Sequence, residues 1–379
     1  MPKHPTLLGL AVLLFAGCED EPRGPVLPPP PPPAPRVAVA APRPIASAGS
    51  VDLVATPEHA WLIFGPPSAD GGGIRALRLS PLGEAEGTEL TLTPNFTGLA
   101  PQAEEVVAAA DGGRMRVAWL ERNQLAFSIR SLVTSAETPA AADASTLETA
   151  SRDQAGRGFL AMRSGNGVFD LLHRRSDGPC HDGGRDRCAR FASHRAPNQE
   201  TSRRGGGMSI PVPCAAPIVG FETAGGVWYE ALCSREGDQT KTTVFAFQFE
   251  PQYAHAAPVL EGCTPYAMTT LGDGVLVRAD CGAVYVSDAG RLVERWEGAP
   301  IWSCESGQPT FVWGSQRLTL AAPRDGLEAL LPEGFIEPSA RAIWSGQAVL
   351  AAQRIGDELA VRRFECDQGE FRRTDHEAP

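Results

Sequence analysis

The chain has 379 residues, enough for two or three average domains or for one large domain built from repeats. With 40 glycines, 34 prolines and only 21% charged residues, it carries more turn-forming material than a helical protein tolerates, which points to many short strands. The net charge of −11 argues against nucleic acid as a partner, because phosphate polymers need clustered positive charge.

The first segment, residues 1–17, has the three parts of an export signal: a positive start at Lys3, an apolar run from Thr6 to Ala16, and the small residues Ala16 and Gly17 before Cys18. The apolar run is too short to span a bilayer. Leu14-Phe15-Ala16-Gly17-Cys18 resembles the lipobox of bacterial lipoproteins, with Phe15 where that family usually has Leu. That resemblance implies removal of residues 1–17 as a signal peptide and acylation of Cys18, so that a lipid holds the chain at the membrane in place of a transmembrane helix. Glu19, where an Asp would signal inner-membrane retention, favours the outer membrane or the cell surface.

Residues 18–49 follow as a stalk. They include six consecutive prolines, Pro28 to Pro33, and proline both fixes φ and removes an amide donor, so the segment reads as extended or disordered.

From residue 50 to 379 one pattern recurs: a short apolar run, a glycine-centred turn and a second apolar run. Its turns centre near Glu58, Gly112, Asn166, Gly225, Asp273, Ser315 and Gly346, spaced roughly 54, 54, 59, 48, 42 and 31 residues apart, about the length of a four-stranded sheet unit. Between these hairpins, Leu125 to Arg130 and Thr243 to Phe249 alternate with the period of two that a strand requires, and no segment shows a long helical period. The arrangement resembles an all-β, seven-bladed β-propeller forming a single domain. A pair of β-sandwiches is the alternative.

Nine cysteines less the acylated Cys18 leave eight, which in an exported chain predicts four disulfides. Cys214 and Cys233 flank one hairpin, Cys263 and Cys281 flank the next, Cys180 and Cys188 close a short loop, and Cys304 is left for Cys366. Bridges between neighbouring units, such as Cys214 to Cys263, are the rival pairing. Cys304 stands 11 residues before its turn centre, against 11 for Cys214 and 10 for Cys263, and so is expected at an equivalent place. Cys180, His181, Cys188 and His194 also suggest a metal, but zinc ligands come as closer pairs than these. No metal and no cofactor is expected.

No nucleophile elbow, phosphate loop, metalloprotease motif or dinucleotide fingerprint is present, so no catalytic residue can be named. The seven histidines stand singly, each expected at the surface or satisfied in the core. Residues 173–204 carry eight arginines against four acidic side chains within an otherwise acidic chain. They read as a rim loop between units three and four, with Arg185, Arg187, Arg190, Arg195, Arg203 and Arg204 available to an anionic partner. The functional expectation is a lipid-anchored envelope module that binds or scaffolds a protein or glycan partner. The alternative is a periplasmic or surface glycosidase or lyase with its site at the propeller axis, which convergent carboxylates or arginines there would favour.

Overall fold

The computed structural model describes residues 46–374 except for 48–49, 66–72, 94–101, 123–125, 152–159, 166–167, 180–186, 198–202, 212–218, 223–226, 237–238, 249–252, 273, 288–290, 296–300, 314–315, 322–325, 333–339 and 356–357. Cys18 and residues 19–45 of the expected stalk lie outside them, whereas Ala46 and Ser47, at the end of the segment expected to be stalk, form a strand of the fold. A short strand β1 (Ala46–Ser47) is followed by a first sheet of β2 (Ser50–Ala55), β3 (Ala60–Gly65), β4 (Arg75–Leu79) and β5 (Ala85–Thr91). The second sheet holds β6 (Gln102–Asp111), β7 (Arg114–Arg122), β8 (Ala126–Ser135) and β9 (Ser145–Ser151). The third holds β10 (Leu160–Gly165), β11 (Val168–Pro179), β12 (Arg187–Pro197) and β13 (Arg203–Pro211), and the fourth β14 (Val219–Glu222), β15 (Trp228–Glu236), β16 (Gln239–Gln248) and β17 (Tyr253–Glu261). The fifth comprises β18 (Pro265–Leu271), β19 (Gly274–Ala279), β20 (Gly282–Ser287) and β21 (Leu292–Arg295). The sixth has three strands, β22 (Ile301–Glu305), β23 (Gln308–Trp313) and β24 (Gln316–Thr319). The seventh contains β25 (Arg341–Trp344), β26 (Val349–Ile355), β27 (Glu358–Asp367) and β28 (Glu370–Arg373), and β1 joins it by pairing with β27.

The first strands of successive sheets touch in order: β2 against β6, β6 against β10, β10 against β14, β14 against β18, and β25 back against β2. Because each sheet packs on its neighbours by both faces, the chain is an all-β propeller, and β1 closes the ring by placing both ends of the fold in one sheet. The core accordingly lies between sheets. Trp61 and Ile63 of β3 join Val106, Met115, Val117 and Trp119 of the second sheet, while Leu62 and Phe64, pointing the other way, join Leu350 and Leu359 of the seventh. That two-sided burial is why β3 reads Ala-Trp-Leu-Ile-Phe without polar alternation. Each large side chain so buried contributes about 1.5–3 kcal/mol. Turns have local causes: Gly112 and Gly113 take φ of 55° and 78° between β6 and β7, a left-handed pair that favours glycine.

Three expectations need correction. Seven uniform four-stranded units were expected, but among the described residues five sheets have that form, so the regular blades number five. The sixth sheet lacks a strand, and the turn near Ser315 joins β23 to β24, its second and third strands, not its first two. A 3₁₀ turn, Leu327–Ala329, touches β18 and β25 where another first strand would stand, and β22 contacts β27 and β28 instead. Cys304 therefore does not match Cys263: it lies inside β22, whereas Cys263 precedes β18. Residues 173–204, read as a loop, are largely β11, β12 and β13. Arg187, Arg190 and Arg195 lie in β12, Arg203 and Arg204 in β13, and Arg185 falls outside the described residues. The physical reason is that a blade's outer strands tolerate charge, which also discourages edge-to-edge pairing, so arginine content does not mark a loop.

Candidate functional site

The irregular stretch between the sixth and seventh sheets builds the site. Leu327, Leu330 and Leu331 are buried among residues of the fifth, sixth and seventh sheets, and they draw the intervening Glu328 inward with them. The turn is pinned from two sides: Trp302 Nε1 of β22 donates to the Leu330 carbonyl at 2.7 Å, and the buried Arg278 of β19 donates to the Leu331 carbonyl. Gly326 opens the turn at φ 70°.

Glu328 is 6% exposed. Its Oε2 accepts the Ala342 amide at 3.3 Å, and its Oε1 lies 3.7 Å from Arg341 Nη1 at the start of β25. Arg341 keeps 35% side-chain exposure while charged groups from three other elements act on it. Asp52 of β2 and Glu105 of β6, both half-buried, act on Arg341 together with Glu328. Three carboxylates and one guanidinium thus converge from the innermost elements: two first strands, the 3₁₀ turn and β25.

Burial pushes the Glu328 carboxyl up to about 7; Arg341 and the amides of Glu328 and Ala342 pull it down, and the charge of Asp52 pushes it up again. For Arg341, burial opposes the charge, but Asp52, Glu328 and Glu105 outweigh it and hold its pKa above the ordinary value. Asp52 is fixed in place, its Oδ1 accepting the Leu53 amide at 2.8 Å and its Oδ2 the Ala108 amide of β6 at 2.7 Å. Ser50 Oγ likewise accepts the Val106 amide at 2.8 Å, so β2 is stapled to β6 beside the site. A carboxyl that holds a proton near neutrality beside a second, immobilised carboxylate can donate a proton while its neighbour acts as base or nucleophile.

None of these four residues was singled out by sequence reasoning. They come from segments far apart in the chain, and the shortness of the interval that contains the 3₁₀ turn was a weak signal. Of the predicted residues, Cys263 and Cys281 are bonded with a Cα–Cα distance of 5.7 Å, and Cys304 of the sixth sheet is bonded to Cys366 of the seventh at 5.6 Å. Cys180 and Cys214 lie outside the described residues; Cys188 is in β12 and Cys233 in β15. Among the described residues, Cys263, Cys281 and Asp280 group as metal ligands do, but the two sulfurs are joined to each other, which removes the thiolates a metal would need. The arginines of β12 and β13 belong to the outer strands of the third sheet, away from its axial strand β10. His59 is a core residue, set edge-to-face on Trp61 at 5.2 Å, with burial and then Arg78 lowering its pKa; His255 is exposed.

No protein-family model and no curated protein sequence matches the chain. Among solved structures it is similar to an acylaminoacyl peptidase of Pyrococcus horikoshii, with a TM-score of 0.43 and 9% identity over 85% of this chain, which spans about half (52%) of the peptidase. It is also similar to the GH32 β-fructofuranosidase BmSUC1 of Bombyx mori, with a TM-score of 0.38 and 10% identity over 87% of this chain and 90% of that one. The polysaccharide lyase Uly1 gives a TM-score of 0.41 and 10% identity over 85% of this chain and 75% of the lyase. Likeness this distant carries neither substrate nor mechanism across.

Proposed function

We propose that this propeller is an acid–base enzyme that cleaves glycosidic bonds in a neutral glycan at its axis. The carrying observation is the buried Glu328 carboxyl set against Arg341 beside the anchored Asp52. Glycosidic cleavage is the reaction that two carboxyl groups of unlike proton affinity accomplish between them: one protonates the leaving oxygen, while the other attacks the anomeric carbon or activates water. Glu328 is the proton donor, Asp52 the nucleophile or base, and Arg341 holds both in register. With Glu328 protonated, Asp52 and Glu105 outnumber Arg341, so the site is net negative, which disfavours polymers of uronic acids and selects the hydrolase over a lyase of anionic chains. In this reading the chain is held at the bacterial envelope by acylated Cys18 through its proline-rich stalk.

The test is hydrolysis of a panel of labelled neutral and uronic oligosaccharides. Glu328→Gln and Asp52→Asn each lower the rate about 10²–10⁴-fold while leaving binding intact. A binding or scaffold module for an envelope protein or glycan is the second reading. It is favoured by the two backbone amides that occupy Asp52, a stapling role that needs no substrate. Saturable glycan binding without any cleavage would decide for it.

A further inference from the structure

We propose that Arg116 is the cationic centre of a small-oxyanion site between the second and third sheets, separate from the axial residues and independent of what they do. Arg116 lies on β7 and is 3% exposed. It shares a strand face with Ala118 and Leu120, which pack against Leu171 of the third sheet. Its Nη2 donates to Ser131 Oγ at 3.0 Å, but neither Nε nor Nη1 has an acceptor. Among the described residues no carboxylate opposes its charge: burial alone moves its pKa, downward. Arg341, by contrast, sits among three carboxylates.

A guanidinium keeps its proton at any pH the protein meets, so the charge cannot be relieved by titration. Left buried and unpaired, it costs several kcal/mol, far more than one hydroxyl acceptor returns. A fold that places an arginine here gains most when an anion arrives. The hydroxyls offer a polar way in: Ser131 Oγ lies 3.5 Å from Ser145 Oγ, Ser145 also donates to the Ser131 carbonyl at 3.2 Å, and Ser145 is exposed. Val133, directly across the ladder from Arg116, is itself 39% exposed. Both serine hydroxyls can rotate to donate, so an oxyanion would meet a guanidinium edge and a hydroxyl together. The ligand class is a free inorganic or carboxylate oxyanion small enough to enter between two sheets.

Sulfate, phosphate and acetate, each balanced with chloride for ionic strength, are titrated into the folded, disulfide-intact protein by calorimetry and thermal melting. The wild type is expected to bind at least one of them saturably and to melt higher with it. Preference for the tetrahedral ions over acetate, or the reverse, identifies the source. Arg116→Gln weakens binding about tenfold or more. Should that variant fail to fold, Arg116→Lys, which keeps the charge and loses the planar edge, and Ser131→Ala are each expected to weaken it. No saturable binding by the wild type up to about 50 mM overturns the proposal. So does undiminished binding by the arginine variants.

Discussion

Replacing Glu328 with Gln removes a buried carboxyl whose proton affinity is displaced far on folding. Its pKa rises on folding from 4.5 to about 7, a displacement corresponding to about 3 kcal/mol. Because the folded value lies above the unfolded one, the native state holds the proton more tightly. The stabilisation is complete below about pH 4.5 and is lost as pH climbs through about 7. Glu328→Gln keeps the shape and an acceptor for the Ala342 amide but cannot ionise, and Arg341 retains Asp52 and Glu105 as counter-charges. Equilibrium urea unfolding at pH 4 and at pH 8, disulfides intact, should therefore show the variant gaining about 3 kcal/mol on the wild type between the two. It should be the more stable protein at pH 8 while being the poorer catalyst. A difference between the two proteins that does not change with pH would refute the reasoning, because it would mean that Glu328 is solvated in the folded state.

Removing Cys304–Cys366, which spans 62 residues and ties the sixth sheet to the seventh, should destabilise the fold by about 4 kcal/mol in chemical unfolding; removing Cys263–Cys281, spanning 18, should cost about 3 kcal/mol. Gly274→Ala would set a methyl 2.3 Å from the Val286 carbonyl oxygen in the paired strand, so β19 and β20 must separate, and thermal melting should show a loss of more than about 2 kcal/mol. Cys18→Ser should abolish incorporation of labelled palmitate and release the protein from the membrane fraction, whereas unchanged membrane association would end the lipoprotein reading.

Much of the fold was legible because strands buried on both faces announce themselves. Ala60 to Phe64 and Val275 to Val277 are continuous apolar runs, and these can only be strands between sheets. The repeat misled where it broke. Gln308 to Thr319 reads as one more hairpin of the series, yet the strand before it, β22, carries the alternation weakly: Ile301 is 64% exposed. The arginines of β12 suggested a loop because charge was taken to mean solvent on all sides, whereas β12 is paired on both edges within its sheet. The axial cluster was illegible in principle. Asp52 and Glu105 sit in first strands of different sheets, Glu328 in a leucine-rich turn and Arg341 at a strand start, and only ring closure brings them together. A glutamate among leucines, Leu327-Glu328-Ala329-Leu330-Leu331, is the nearest thing to a signal, since a charge amid a buried run has to be held there by something.

The seam at β1 has a mechanical consequence. Ala46 and Ser47 pair with Leu359 and Glu358, a two-residue ladder, so tension applied from the amino-terminal side would peel two residues before it reached the six-residue β2. A tugged molecule would come unbuttoned at one cheap fastening and snap shut again when released, leaving the remaining sheets undisturbed.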